Sequence, residues 1–438
     1  MKHKLIFLAL NEFNPTLLSS ISKVFPDNNY LRKIFDHNSF SLDIKDEYDS
    51  GFLEPWSQWV GIHVAQPTAK HRIKNLGDIP KIEYKQVWEL LSKKGKSSII
   101  WGSMNASLGS SEKCKAFIPD PWVFTEDPVP KDLLPFIALP RYLARNYTSL
   151  SKIVILKNLF KFLKATIYHV GYVTFFRSVY ILLKGLIRFG NKNFIYINFF
   201  DYVASHLFIK KVKENKSDLN FIFLNSIAHV QHHYWYSSDA TKLKEILFTY
   251  ENIENILSAM DRELAIFKKK NSFVLFNGLS QCPTFNDEPW YLYRIRDLRE
   301  FMINFDIKFK SIEPLMSYDA HIFFKSKDEM KKGFEILKNI KFSNSNFLYL
   351  EPHFDELKIF FRVDITHDVD NTGYLEYEKI KVKFDKYVER IVRRTGKHIQ
   401  SSTAYHNLDI LEKVQTKNKF NYDIFKLIYP DLFKDRPK

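Results

Sequence analysis

Two cysteines in 438 residues, Cys114 and Cys282, stand far apart and form no Cys-x-x-Cys pair. That excludes a disulfide scaffold and a thiolate zinc site, and it fits a reducing, cytoplasmic location. Glycine is also scarce, at 13 residues, and no Gly-x-Gly-x-x-Gly or Walker-type loop occurs, so dinucleotide binding and P-loop chemistry have no support. No Gly-x-Ser-x-Gly surrounds any serine, which argues against a nucleophile-elbow hydrolase. No uninterrupted apolar run approaches the ~18 to 20 residues that span a bilayer, so transmembrane anchoring is not expected. The run Leu5 to Leu10 is too short for a signal peptide, leads straight into Asn11-Glu12 without an Ala-x-Ala site, and reads as a buried first strand. There is no internal repeat and no low-complexity segment.

Aromatic residues are plentiful, at 16% with 40 phenylalanines, and 45% hydrophobic with 26% charged residues is a globular composition. At roughly 150 residues per domain the chain holds two or three domains. The formal net charge of +15 points to anionic partners: a phosphorylated substrate, phospholipid headgroups or nucleic acid. No nucleic-acid module signature is present, which disfavours the last.

The first third, 1–137, alternates short apolar runs with helical patterns, the order of a parallel α/β sheet. From 138 to 217 the chain turns basic and aromatic, with apolar residues every three or four positions. This predicts amphipathic helices inserted into the core. Such helices either cap the sheet or lay a basic face on an anionic membrane, giving a peripheral position at its inner face. The α/β pattern returns over 218–309, with strands at DLNFIFL and SFVLF and a helix through YENIENILSAMDRELAIFKKK. A strand-helix-strand-strand order over 310–375 predicts a small α+β subdomain. The remainder, 376–438, returns to the core with a basic helix, KFDKYVERIVRRTG, a His-bearing loop and a tail.

Several residues could carry chemistry. Glu12 ends the first strand, where a carboxylate is a solvated loop residue, a general base or a cation ligand. His229, His232 and His233 follow the strand ending at Leu224, at the strand ends where α/β sheets place their sites, and read as a loop. Imidazole there can bind phosphate, move a proton or ligate a metal. Asn225 and Gln281 also follow strands. The segment EPWSQWVGIHVAQPTAKH offers Glu54, Ser57 and His71. His398 and His406 fall in a C-terminal loop with Gly396. His367 with Asp364, Asp368 and Asp370 reads as a solvated turn.

Taken in order, these pieces resemble the alkaline phosphatase superfamily, in particular its nucleotide pyrophosphatase/phosphodiesterase-like branch. Glu12 stands where the family has a metal-binding Asp. EPWSQWVGIHVAQPTAKHRI keeps Pro55, Trp56, Pro67, His71 and Ile73 of the nucleophile segment, with Glu54 or Ser57 nearest the missing threonine. His232 matches the histidine of Asp-x-x-x-His, but Ala228 replaces its aspartate. Gly278 and Leu279 replace the pair in Ser-Asp-His-Gly, and Gly396 with His398 matches the last Gly-x-His loop. The resemblance implies an alkaline-phosphatase-like, mostly parallel sheet flanked by helices, with a metal site that has lost three of its ligands.

A two-zinc centre is therefore not expected, and the first reading assigns no metal ligand. In that reading the chain is a transferase acting on a phosphate-bearing donor, most plausibly a nucleotide sugar, in bacterial surface-glycan assembly. Glu12, Ser57, His229 and His232 are its catalytic candidates, and Glu54, His71, Asn225, His233, Gln281 and His398 its substrate-binding ones. The alternatives are a phosphodiesterase or sulfatase-like hydrolase keeping one divalent metal through Glu12, His232 and His398, and a non-catalytic ligand-binding protein.

Overall fold

The computed structural model describes residues 4–45, 53–146, 150–268, 271–315, 318–370, 372–412, 414 and 416–434. The chain forms two compact units, one of Met1–Leu143, Ser151–Pro283 and Gly396–Lys438, the other of Ala144–Leu150 and Thr284–Thr395.

The first unit is built on a seven-stranded sheet in the order Asn38–Asp43, Ser401–His406, Ser272–Phe276, Leu5–Leu10, Leu219–Leu224, Ser98–Ser103, Cys114–Pro119. The five strands from Ser272–Phe276 to Cys114–Pro119 run parallel, and Ser401–His406 runs antiparallel to both its neighbours. The first strand, LIFLAL, is buried at every residue because it lies at the centre of a sheet covered on both faces. Its side chains alternate: Ile6, Leu8 and Leu10 enter one core with the helices, while Leu5, Phe7 and Ala9 enter another with Trp59, Trp88 and Phe425. The α/β class, with a mostly parallel sheet flanked by helices, is as the sequence predicts. The helix predicted through LAIFKKK runs over Lys244–Leu264 and ends where Ala265 turns left-handed, at φ 51°. Lys269 and Lys270 of that prediction lie outside the described residues.

Three helices make up the basic insertion, Leu134–Asn146, Lys152–Phe189 and Asn193–Asn215. The second is broken at Gly171, whose φ of 81° and ψ of 168° are non-helical. By length and composition alone this helix could cross a bilayer, contrary to the expectation from the sequence. Counting uninterrupted apolar residues missed it because lysines and an arginine break the run.

The second unit contains a four-stranded antiparallel sheet, Leu348–His353, Lys358–Val363, Asp319–Phe323 and Ser311–Pro314, with the helix Lys327–Asn339. It extends beyond 310–375 because Trp290–Ile295 pairs with Val388–Arg394. The helix expected across KFDKYVERIVRRTG is thereby corrected: only Phe384–Tyr387 is helical. The β-branched run VERIVRR instead takes the partner strand, with Arg294 Nε donating to Glu389 Oε1 at 2.9 Å.

Candidate functional site

Three adjacent parallel strands of the first unit, Ser272–Phe276, Leu5–Leu10 and Leu219–Leu224, end on the same edge. The residues that follow them, Asn277 to Gln281, Asn11 with Glu12, and Asn225, therefore converge at the carboxyl ends of the sheet, where α/β folds place their sites. Glu12 is left-handed, with φ 62°, a conformation costing a non-glycine residue about 1 kcal/mol. Hydrogen bonds on both sides of its peptide hold it: its N–H donates to Asn277 O at 3.0 Å, and its carbonyl accepts from Gln231 Nε2 at 2.7 Å.

The Glu12 side chain is buried and meets two imidazoles. Its Oε2 lies 2.9 Å from His232 Nε2 and 3.0 Å from His398 Nε2, and the two nitrogens are 3.2 Å apart. Both histidine side chains are 12% exposed. His232 does not lie in a loop, as the sequence suggests, but on the helix Ser226–Tyr234. His398 lies on the strand Gly396–Ile399, which pairs with Ser280–Pro283, so it too is corrected from loop to strand. Register places His398 opposite Gln281 and so fixes both beside Glu12.

Hydrogen bonding fixes the His232 ring. Its Nδ1 lies 3.1 Å from the carbonyl of Gly396, which can only accept, so Nδ1 carries the proton. In the neutral ring Nε2 then presents a lone pair to a carboxylate oxygen 2.9 Å away. That approach is repulsive unless a positive charge stands there, either a second proton or a cation. A backbone carbonyl accepting the distal N–H is how metal-bound histidines are commonly oriented. Three ligand atoms on a tetrahedral ion with bonds of about 2.1 Å lie about 3.3 Å apart, close to the spacing here. Among the described residues, Glu12, His232 and His398 form the single group of three or more His, Cys, Asp or Glu side chains whose ligand atoms lie within 4.8 Å of one another. The donors fit one cation rather than two, because among the described residues no further His, Cys, Asp or Glu joins this group.

A second layer of amides steadies Glu12. Gln281 Nε2 donates to its Oε2 at 2.5 Å and to the carbonyl of Ala228 at 3.2 Å. Asn11 Nδ2 donates to Glu12 Oε1 at 2.9 Å and to Asn225 Oδ1 at 2.8 Å, while Asn11 Oδ1 accepts from the Trp59 indole at 2.8 Å. The indole thus decides which way the Asn11 amide faces. Burial alone would raise the Glu12 carboxyl, but the charges of His398 and His232 and their hydrogen bonds outweigh it and hold it well below the usual carboxylate range. Behind Asn225, the buried Asp201 accepts from the N–H groups of Asn225 and Ser226 at 3.1 and 2.9 Å. Burial pushes its pKa up to about 6.

Of the residues singled out from the sequence, Glu12, Asn225, His232, Gln281 and His398 are brought together. His229 and His233 stand on the same helix, their rings 5.1 Å apart, and the Nδ1 of His229 has no hydrogen-bond partner among the described residues. Ser57 is corrected as a catalytic candidate, since its buried hydroxyl donates to the carbonyl of Ile73 at 2.9 Å. His71 is likewise structural: its Nδ1 accepts from the Ile73 N–H at 3.1 Å, and burial depresses its pKa to about 4. Glu54 caps the helix Pro55–Val64, its carbonyl accepting from the N–H groups of Ser57 and Gln58 at 3.0 and 3.1 Å. Sequence reasoning missed Asn11, Trp59, Gln231 and Asp201. The first is adjacent to Glu12 and was within reach of a local reading; the other three come from distant segments.

No family model matches the chain, and no curated protein matches it. It is similar to several solved structures. One is phosphonoacetate hydrolase from Sinorhizobium meliloti in complex with phosphonoformate, at 11% identity over 96% of this chain and 94% of that one, with a TM-score of 0.45. Another is wild-type alkaline phosphatase PafA, at 12% identity over 99% and 96%, with a TM-score of 0.44. A third is human ectonucleotide pyrophosphatase/phosphodiesterase 5, at 9% identity over 98% and 94%, with a TM-score of 0.42. These are likenesses of fold.

Proposed function

We propose that the chain is a hydrolase of phosphate esters that works with one divalent cation held by Glu12, His232 and His398. The observation that carries this reading is the convergence of one carboxylate oxygen and two imidazole nitrogens within 3.2 Å of one another, with the His232 lone pair turned inward by the Gly396 carbonyl. Phosphate esters as the substrate class follow from the order of sequence pieces that resembles the superfamily. A cation held there supplies positive charge to a phosphoryl oxygen. The chain's own residues do the rest. Gln281 and Asn11 keep the Glu12 carboxylate in place, and the Gly396 carbonyl keeps His232 in one tautomer. His229, one turn earlier on the same helix, has its pKa lowered from the ordinary imidazole value by desolvation, so its ring is neutral. With Ser57 spent on a backbone carbonyl, the nucleophile in this reading is water.

Elemental analysis after zinc or manganese loading tests the proposal, together with hydrolysis of p-nitrophenyl phosphate and bis-p-nitrophenyl phosphate. About one ion per chain is expected, lost in Glu12→Gln and His398→Ala along with activity. Full activity in excess chelator, or no bound ion after loading, overturns it. The nucleotide-sugar transferase reading has no contact of its own in the site and becomes an outcome of product analysis: a glycosylated acceptor in place of free phosphate would establish it.

A further inference from the structure

The helix Lys152–Phe189 leaves one side exposed among the described residues, and in its first half the exposed Lys157, Lys161 and Lys164 share that side with apolar residues. Ile153, Phe160, Tyr168, Tyr172, Phe176 and Ile187 are 64 to 87% exposed, and their spacing puts them on one side of each half of the helix. The opposite side is occupied: Phe162, Thr166, His169, Ser178 and Gly185 are buried, and a Cβ at Gly185 would lie 2.6 Å from Ile195 of the helix Asn193–Asn215. A helix fastened along its inner side lies against the body of the unit rather than running free of it. It carries seven Lys and Arg and no Asp or Glu over 38 residues.

Beside it is a cavity of about 410 Å³ between this helix, Asn193–Asn215 and Lys244–Leu264. Arg177, Lys184 and Arg262 line it with Tyr180, Tyr202 and His206. Lys184 pairs with Glu251 at 2.6 Å and Arg262 with Glu263 at 3.2 Å, and Arg177 keeps the lining net positive. Burial, then the charges of Arg262 and Arg177, depress the His206 pKa to about 4, so this imidazole is neutral and does not add to the charge. Tyr180 belongs to both features, being 63% exposed on the helix and part of the cavity wall.

We propose that Lys152–Phe189 is an in-plane docking helix for an anionic lipid bilayer, its apolar face entering the interface and the Arg177–Lys184–Arg262 cavity taking the phosphate of a lipid headgroup. The charge decides the occupant: cations interleaved with the exposed apolar residues in the first half and beside them in the second, with no acidic residue on the helix and a chain net charge of +15, complement an anionic surface. The inference is independent of the metal site.

Flotation of the full chain with phosphatidylglycerol vesicles and with phosphatidylcholine vesicles, at about 0.1 M salt, tests it. Binding to the anionic vesicles is expected to be about tenfold tighter. The exposed double variant Phe160→Glu/Phe176→Glu, with its fold checked by circular dichroism, abolishes flotation, and Phe160→Leu/Phe176→Leu retains it. Arg262→Gln, in the cavity but off the apolar face, weakens binding about fivefold. Three results would overturn the docking assignment: no flotation with phosphatidylglycerol, flotation indifferent to the glutamates, or a solution dimer that the glutamates dissociate, which would give the face to a second copy. Unchanged affinity in Arg262→Gln overturns the headgroup cavity.

Discussion

Trp59→Phe isolates the orienting layer of the site from the ligands themselves. The indole Nε1 donates to Asn11 Oδ1 at 2.8 Å, and the other end of that amide donates to Glu12 Oε1 and Asn225 Oδ1. Phenylalanine keeps the apolar contacts with Phe223 and Phe276 but has no donor, leaving the Asn11 oxygen buried and unpaired. An unsatisfied buried acceptor costs about 1 to 3 kcal/mol, and the space left by the smaller ring adds about 1 kcal/mol. Urea unfolding should therefore show a loss of about 2 to 4 kcal/mol. The Asn11 amide is also released to rotate, so Glu12 loses a fixed donor, and zinc affinity is expected to fall about 10- to 100-fold. Trp88→Phe is the matched control: its buried indole donates at 2.8 Å to the carbonyl of Ser107, which has no link to the cluster among the described residues. That variant should lose less stability, because Gln86 Nε2 still donates to the Ser107 carbonyl at 2.9 Å, and keep zinc affinity. Equal zinc affinities in wild type and Trp59→Phe, or equal losses of zinc affinity in the two variants, would refute the reasoning.

Gly396→Ala places a Cβ 2.5 Å from both Gln231 O and Gln281 Oε1, so one of them must move. Overpacking of this kind costs about 1 to 3 kcal/mol, and because Gln281 holds Glu12, metal affinity should fall with stability; a variant that binds zinc like the wild type contradicts this. Asp201 supplies a pH dependence with a defined sign. Burial raises its folded pKa to about 6 from an ordinary value of 3.8, so between those values the folded state binds more protons and stability falls as pH rises. Asp201→Asn removes that titration. The stability difference between variant and wild type should change by on the order of 3 kcal/mol across the window, and a constant difference from denaturant melts at its two ends would disprove it.

The sequence was most legible where one local pattern meets one outcome. LIFLAL is an uninterrupted apolar run, and SFVLF and DLNFIFL are nearly so; such runs serve as central strands of a sheet covered on both faces. The helix Lys327–Asn339 begins at the Ser326 cap and was equally clear. VERIVRR was not, because its charge suggested an exposed helix, and its pairing partner WYLYRI lies far away in the chain. His232 and His398 were each noticed as histidines near strand ends, yet nothing local distinguishes them from His71, buried at the end of the short helix Thr68–His71, where its Nδ1 accepts from the Ile73 N–H.

By itself, then, the sequence determined the α/β class, the basic helical insertion, the scarcity of sulfur ligands, and the set of side chains from which a site could be made. These depend on composition and on periodicities of two and 3.6 residues, which are local properties of the chain. Tertiary structure decided which members of that set meet. Glu12, His232 and His398 lie far apart in the chain and come within 3.2 Å because a parallel sheet brings Glu12 and the helix bearing His232 to one edge, where the antiparallel pair of Gly396–Ile399 with Ser280–Pro283 adds His398. The roles of Trp59 and Gly396 were decided in the same way: an indole becomes an orienting donor, and a glycine carbonyl a tautomer lock, only through hydrogen bonds to residues remote in sequence.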